Sequence, residues 1–122
     1  MNSRDFEALL EAQLDLCRSV LVRKADEYAT EDRLHNFKVA AELQDCTPIG
    51  ALAGMMAKHT VSIYDMCAGA DRGIKYPLPL WREKITDHIN YLLLLLAAVK
   101  EVTENKELRK TINRSVRHRI FE

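Results

Sequence analysis

The stretch Trp81-Arg82-Glu83-Lys84-Ile85-Thr86-Asp87-His88-Ile89-Asn90-Tyr91-Leu92-Leu93-Leu94-Leu95-Leu96-Ala97-Ala98-Val99 decides the fold class. Trp81, Ile85, Ile89, Leu92, Leu93, Leu96 and Val99 recur at helical steps, and no Gly or Pro interrupts them. Leu94, Leu95 and Ala97 make the second half apolar nearly all round. Such a helix is covered on every side, either centrally or in a subunit interface. In a chain of 122 residues the interface is the simpler answer, so a homo-oligomer is expected. The apolar run from Tyr91 to Val99 is about half of the ~20 residues needed to span a bilayer, so a membrane partner is not expected.

Outward from this segment the pattern stays helical. Ser3 is placed to cap a first helix, with Asp5 and Glu7 in the turn where carboxylates oppose the helix dipole. Phe6, Leu9, Leu10, Leu14, Cys17, Val20 and Leu21 carry that helix to about Tyr28. A short second helix is expected around Leu34, Phe37, Ala40, Ala41 and Leu43. Thr47-Pro48 then restarts the chain, with Thr as cap and Pro at the first helical position. The third helix is predicted from Pro48 to about Cys67, its inner face marked by Ile49, Leu52, Ala53, Met56 and Ile63. Ala51, Gly54 and Ala57 are small enough to admit a close neighbour. The Gly- and Pro-bearing stretch from Gly69 to Pro79 is the longest predicted loop, and the fourth helix begins near Pro79 or Leu80.

The expectation is therefore an all-α bundle of four to five helices in a single domain over residues 1–122. Its core spans about 3–103, and a basic helix or tail follows at 104–122. In that tail Lys106, Arg109, Lys110, Arg114, Arg117 and Arg119 outnumber the acids, while Leu108, Ile112, Val116 and Ile120 keep a helical step. The tail reads first as a solvated helix with one docked face. No nucleic-acid-reading motif accompanies it, so nucleic acid is not the expected partner. Lys plus Arg equal Asp plus Glu at 18 each, which removes any global charge drive toward polyanions. Three cysteines without CxxC spacing suggest neither a disulfide framework nor a cysteine zinc site. The charged N-terminus lacks an apolar leader segment, and a cytoplasmic location is expected.

Three polar clusters sit on helices that otherwise seek burial. The first joins Asp26-Glu27-Tyr28 to Asp32, His35 and Asn36. Capping accounts for Asp32 but not for Asn36, whose amide either bridges helices or binds a ligand. The second is Lys58-His59 within the third helix. There the lysine either snorkels to the surface or holds phosphate as a point charge, and His59 is either structural or substrate-binding. The third is Glu83, Asp87 and Asn90. Glu83 and Asp87 are four apart and share a helix face, as a divalent-cation pair would, although Arg82 and Lys84 are available to neutralise them. Asp87 precedes the leucine run, and a buried carboxylate needs a counter-charge or a metal. Lys58 is the natural counter-charge, so Lys58 and Asp87 are predicted to lie near each other.

The succession Lys24-x-x-x-Tyr28, Asn36-Phe37, Met55-Met56-x-Lys58, Trp81 and Asp87-x-x-x-Tyr91 resembles a group of small all-α proteins common in phages and prophages. That group is similar to the MazG-like all-α nucleoside-triphosphate pyrophosphatases. The segment Glu83 to Tyr91 resembles their last metal-binding helix, Glu-Glu-x-x-Asp-x-x-x-Tyr. The resemblance covers about Lys24 to Lys100. It implies a helical bundle, assembled as a dimer or tetramer, that hydrolyses a nucleotide between the α- and β-phosphates with Mg2+. On that reading Glu83 and Asp87 hold the metal, Lys58 meets phosphate, and Asp87 and Lys58 carry the chemistry. Tyr28, Asn36 and His59 contact the nucleotide. The sequence departs from the family where its enzymes carry Glu-x-x-Glu. Here that region offers Lys58-His59 and Ser62, and Lys84 replaces the second Glu of the last helix. The alternative expectation is a non-enzymatic helical assembly protein in which Lys58 and Asp87 form a structural bridge.

Overall fold

The structure is a computed structural model. It describes the backbone of residues 1–28 and 31–121, and the side chains of residues 1–25 and 31–117. Four helices follow one another: α1 (Ser3–Tyr28), α2 (His35–Gln44), α3 (Pro48–Asp71) and α4 (Leu78–Phe121). No strand occurs among the described residues. None of these helices is long and apolar enough to cross a membrane.

The punctuation follows the sequence closely between α2 and α3. Asp32 Oδ1 accepts the Leu34 amide at 3.0 Å, and its Oδ2 takes the Lys38 ammonium at 2.7 Å. The Lys38 hydrogen bond holds the Asp32 carboxyl below its usual range. Lys38 also meets Glu101 at 2.6 Å and so ties α2 to α4. Asp45 ends α2 in the left-handed region, at φ 53°. Thr47 then caps α3, its hydroxyl accepting the Gly50 amide at 3.0 Å. At the far end of α3, Gly69 is buried under the Tyr76 ring, where a Cβ would collide with the phenol. Tyr76 meets Trp81 edge-on at 5.8 Å, which fixes the turn into α4. The predicted Gly69–Pro79 loop is thus shorter than expected, because α3 runs on to Asp71 and α4 starts at Leu78.

Packing departs from the predicted faces in three places. The core is small: Leu34, Phe37, Leu52 and Ala98, with Ile49, Met55, Tyr91, Leu94 and Leu95 against it. On α3 the close approach falls at buried Ala51, whereas Gly54 faces open space. On α4 the covered residues are Thr86, Asn90 and Ala98, while Ile85, Leu92, Leu93, Leu96 and Val99 stay exposed. The predicted leucine stripe therefore lies outside the chain's own core. An all-round apolar helix has no periodic signal that selects one side, so the sequence pattern chose the wrong face. The basic segment from 104 is helical and solvated as expected, but as a continuation of α4, and the expected docked face is not formed within the chain, since Leu108, Ile112 and Val116 are exposed. With no Gly or Pro after Pro79, α4 continues unbroken through Phe121. Surface pairs such as Lys100–Glu104 and Lys110–Glu107 lie along it.

Helix α3 packs on α2 and α4, and among the described residues α1 packs on α4. The α1 contact is pinned by Gln13, whose amide donates to the buried Thr86 hydroxyl at 2.8 Å. Thr60 and His88, 2.9 Å apart, join α3 to α4.

Candidate functional site

A cavity of about 200 Å³ opens where α1, α2, α3 and α4 converge. Its floor is apolar, from Leu21, Phe37, Met55 and Leu94. Its polar wall is Lys24, Arg33, Asn36, Asp87, Asn90 and Tyr91. Lys24 comes from the last turns of α1 and Arg33 from the link into α2. Asp87, Asn90 and Tyr91 are presented by successive turns of α4. Arg33 is steadied by a long hydrogen bond, 3.5 Å, to the Leu21 carbonyl.

Asn90 is the unusual member. It is only 5% exposed, and neither its amide nitrogen nor its amide oxygen has a hydrogen-bond partner among the described residues. Leaving such a group unpaired costs about 1–3 kcal/mol, so folded proteins rarely tolerate it without a reason. The side chain offers one donor group and one acceptor at the wall of a cavity that also holds two cations and a carboxylate.

A second, more open cavity of about 570 Å³ adjoins the first and shares Lys24 and Asp87 with it. Arg23, Arg82, Glu83 and the buried Thr86 complete its polar side. Neither Lys24 nor Asp87 forms an ion pair within 4 Å among the described residues, whose ion pairs involve Lys38, Lys100 and Lys110 only. Lys24 and Asp87 thus stand between two neighbouring cavities, the first lined also by the amides of Asn36 and Asn90 and the second also by Arg23 and Arg82.

Behind the first cavity, His59 stacks on Tyr91 at a ring distance of 4.7 Å, and Phe37 meets Tyr91 edge-on at 6.4 Å. Burial lowers the His59 pKa from its ordinary 6.5, Asp87 opposes that shift, and Lys58, Lys84 and Lys24 add to it. Neutral His59 thus fixes the ring that lines the cavity.

Of the residues singled out in the sequence, Asn36 and Asp87 meet in the first cavity, and Glu83 joins Asp87 in the second. Lys58 is exposed and lines neither cavity. It forms no ion pair with Asp87 within 4 Å, and the predicted bridge is replaced by a shared influence on His59. The reason is register: α3 turns His59, not Lys58, toward α4, where it covers Tyr91. Tyr28, Asp26 and Glu27 lie outside the described side chains. Asn90, named in the third polar cluster without an assigned role, also lines the first cavity, as does Lys24, which stood in a quoted motif without a role; Arg33 was not singled out. Arg33 lies in a link with no helical period, so only its proximity to Asn36 pointed to it.

Among the described residues no three His, Cys, Asp or Glu side chains group around one point. Glu83 and Asp87, flanked by Arg23, Lys24 and Arg82, fit Mg2+ only together with oxygens brought by a phosphate and water, a common arrangement for this ion. Compared with protein-family models, curated protein sequences and solved structures, the chain matches none.

Proposed function

We propose that the paired cavities bind a nucleoside phosphate, with the base in the amide-rich end and the phosphates in the cation-rich end. The observation that carries this reading is Asn90, a buried amide without a partner at the wall of a cavity that also presents Lys24, Arg33 and Asp87. A nucleobase edge carries adjacent donors and acceptors that match an amide bidentately. Tyr91, held between His59 and Phe37, offers an aromatic surface for a flat ring. Arg23, Lys24 and Arg82 supply positive charge where phosphate would lie, and arginine matches phosphate oxygens in pairs. The first cavity alone is below the ~300–1,000 Å³ of ordinary small-molecule sites. A ligand that spans both cavities removes this mismatch.

Magnesium, if recruited, would be held by Glu83, Asp87 and phosphate oxygens, and would neutralise phosphate charge there. Hydrolysis between the α- and β-phosphates is the finer reading, and it rests on the resemblance to MazG-like pyrophosphatases. The two readings are tested in sequence. Melting temperature is measured with a panel of nucleoside mono-, di- and triphosphates, with and without magnesium, and pyrophosphate release is then assayed. Binding predicts a melting temperature that rises with ligand concentration, since a native-state ligand stabilises in proportion to RT ln(1 + [L]/Kd). It also predicts loss of the rise in Lys24→Ala. Unchanged melting with every nucleotide would refute binding. Binding without pyrophosphate release would keep the site and discard the hydrolase.

A further inference from the structure

The face of α4 turned away from the cavities carries a seam of exposed apolar side chains. Leu78, Ile85, Leu92 and Val99 recur every seven residues, and Leu96 fills the gap before the last. Leu96 is 65% exposed and Leu78 59%. At its N-terminal end the seam widens into a groove of about 540 Å³, where Leu9 and Leu16 of α1 face Leu78, Trp81 and Ile85.

Surface area gives this seam its meaning. A compact monomer of 14.0 kDa exposes about 6,700 Å². This chain exposes 9596 Å², about 2,900 Å² more. A standard protein interface covers about 800 Å² per partner, and obligate dimers cover more. The projecting end of α4 accounts for part of the surplus, yet the apolar part also lies along α1 and α4. Among the described residues α1 packs on no helix other than α4, and Cys17 is its one fully buried side chain there. A 26-residue helix supported on so little surface needs further cover, because helices in water draw most of their stability from packing.

We infer that a second copy of this chain occupies the seam, the two α4 helices packing Leu78, Ile85, Leu92, Leu96 and Val99 against their counterparts. A seven-residue apolar repeat is the pattern that pairs helices along a shared seam. The balanced charge, 18 basic against 18 acidic residues, sets no global repulsion between copies. The inference stands apart from the nucleotide reading, because Leu78, Ile85, Leu92, Leu96 and Val99 line neither cavity, although the groove at the N-terminal end shares Leu16 and Arg82 with the second cavity.

The test is the mass of the full chain by sedimentation equilibrium from low micromolar to near-millimolar concentration. The expected result is twice 14.0 kDa or a higher even multiple, with a melting temperature that rises with protein concentration. Leu92→Glu combined with Leu96→Glu should give a helical monomer, whereas Leu43→Glu, at a still more exposed site on α2, should leave the assembly intact. Should the double variant lose its helical signal, the milder Leu96→Gln serves instead, with a dimer dissociation constant raised at least tenfold. A mass of 14.0 kDa across the whole range overturns the inference. So does an assembly that Leu43→Glu disrupts and the seam variants do not.

Discussion

On the proposed reading, Asn90 concentrates the conflict between folding and binding into one side chain. In the free protein its amide is buried and unpaired, a state that destabilises the fold by about 1–3 kcal/mol. Asn90→Leu keeps the volume and removes the unpaired atoms, so it should raise stability to urea by about that amount while it removes nucleotide binding. A destabilised variant would mean that the amide holds the core together. His59 makes a second prediction. Its folded-state pKa lies below the ordinary 6.5, chiefly because of burial. Neutral imidazole is then favoured in the fold, its contribution is complete above about pH 6.5, and it is lost as pH falls through the folded-state value. The melting temperature should therefore drop from neutral to mildly acidic pH, and His59→Phe, which keeps a ring against Tyr91, should flatten that drop. At this scale the sequence was informative where polarity stood out against an apolar pattern. Asn36 and Asp87 were legible for that reason. Lys58 and His59 are adjacent, and periodicity did not say which of the two faces α4.

The helix boundaries came from local chemistry, and they were read best where that chemistry is strongest. Thr47-Pro48 marked the start of α3 because the hydroxyl cap and the fixed φ of Pro act within one turn. Thr47→Ala should cost about 1 kcal/mol in thermal or urea unfolding. The other end of α3 was misplaced, because Gly69 reads as a loop residue. It is in fact a helical glycine that gives room to Tyr76. Gly69→Ala should displace Tyr76 and destabilise the protein by about 1–3 kcal/mol, measured by urea unfolding. An unchanged midpoint would show that the turn adapts freely. The helical step beyond residue 103 was legible, but its continuity with α4 was not, because a change in charge composition is not a break. Without Gly or Pro the helix simply continued.

At the scale of the whole molecule, all-α architecture was legible from the scarcity of Gly and Pro and from repeated three- and four-residue steps. The side of α4 that faces the core was not legible, because leucines on every side leave no amphipathic direction. That ambiguity has a physical counterpart in the structure. One side of α4 carries Thr86, Asp87, Asn90 and Tyr91 to the cavities, and another carries the exposed Leu78–Val99 seam. The central claim is that the cavity side is built for a nucleoside phosphate. The most direct measurement follows the side-chain amide resonances of Asn90 while nucleotide is titrated into the 122-residue chain. The account predicts a saturable shift of those resonances that Lys24→Ala weakens. Resonances that stay fixed at millimolar concentrations of every nucleotide, with magnesium present, would contradict it.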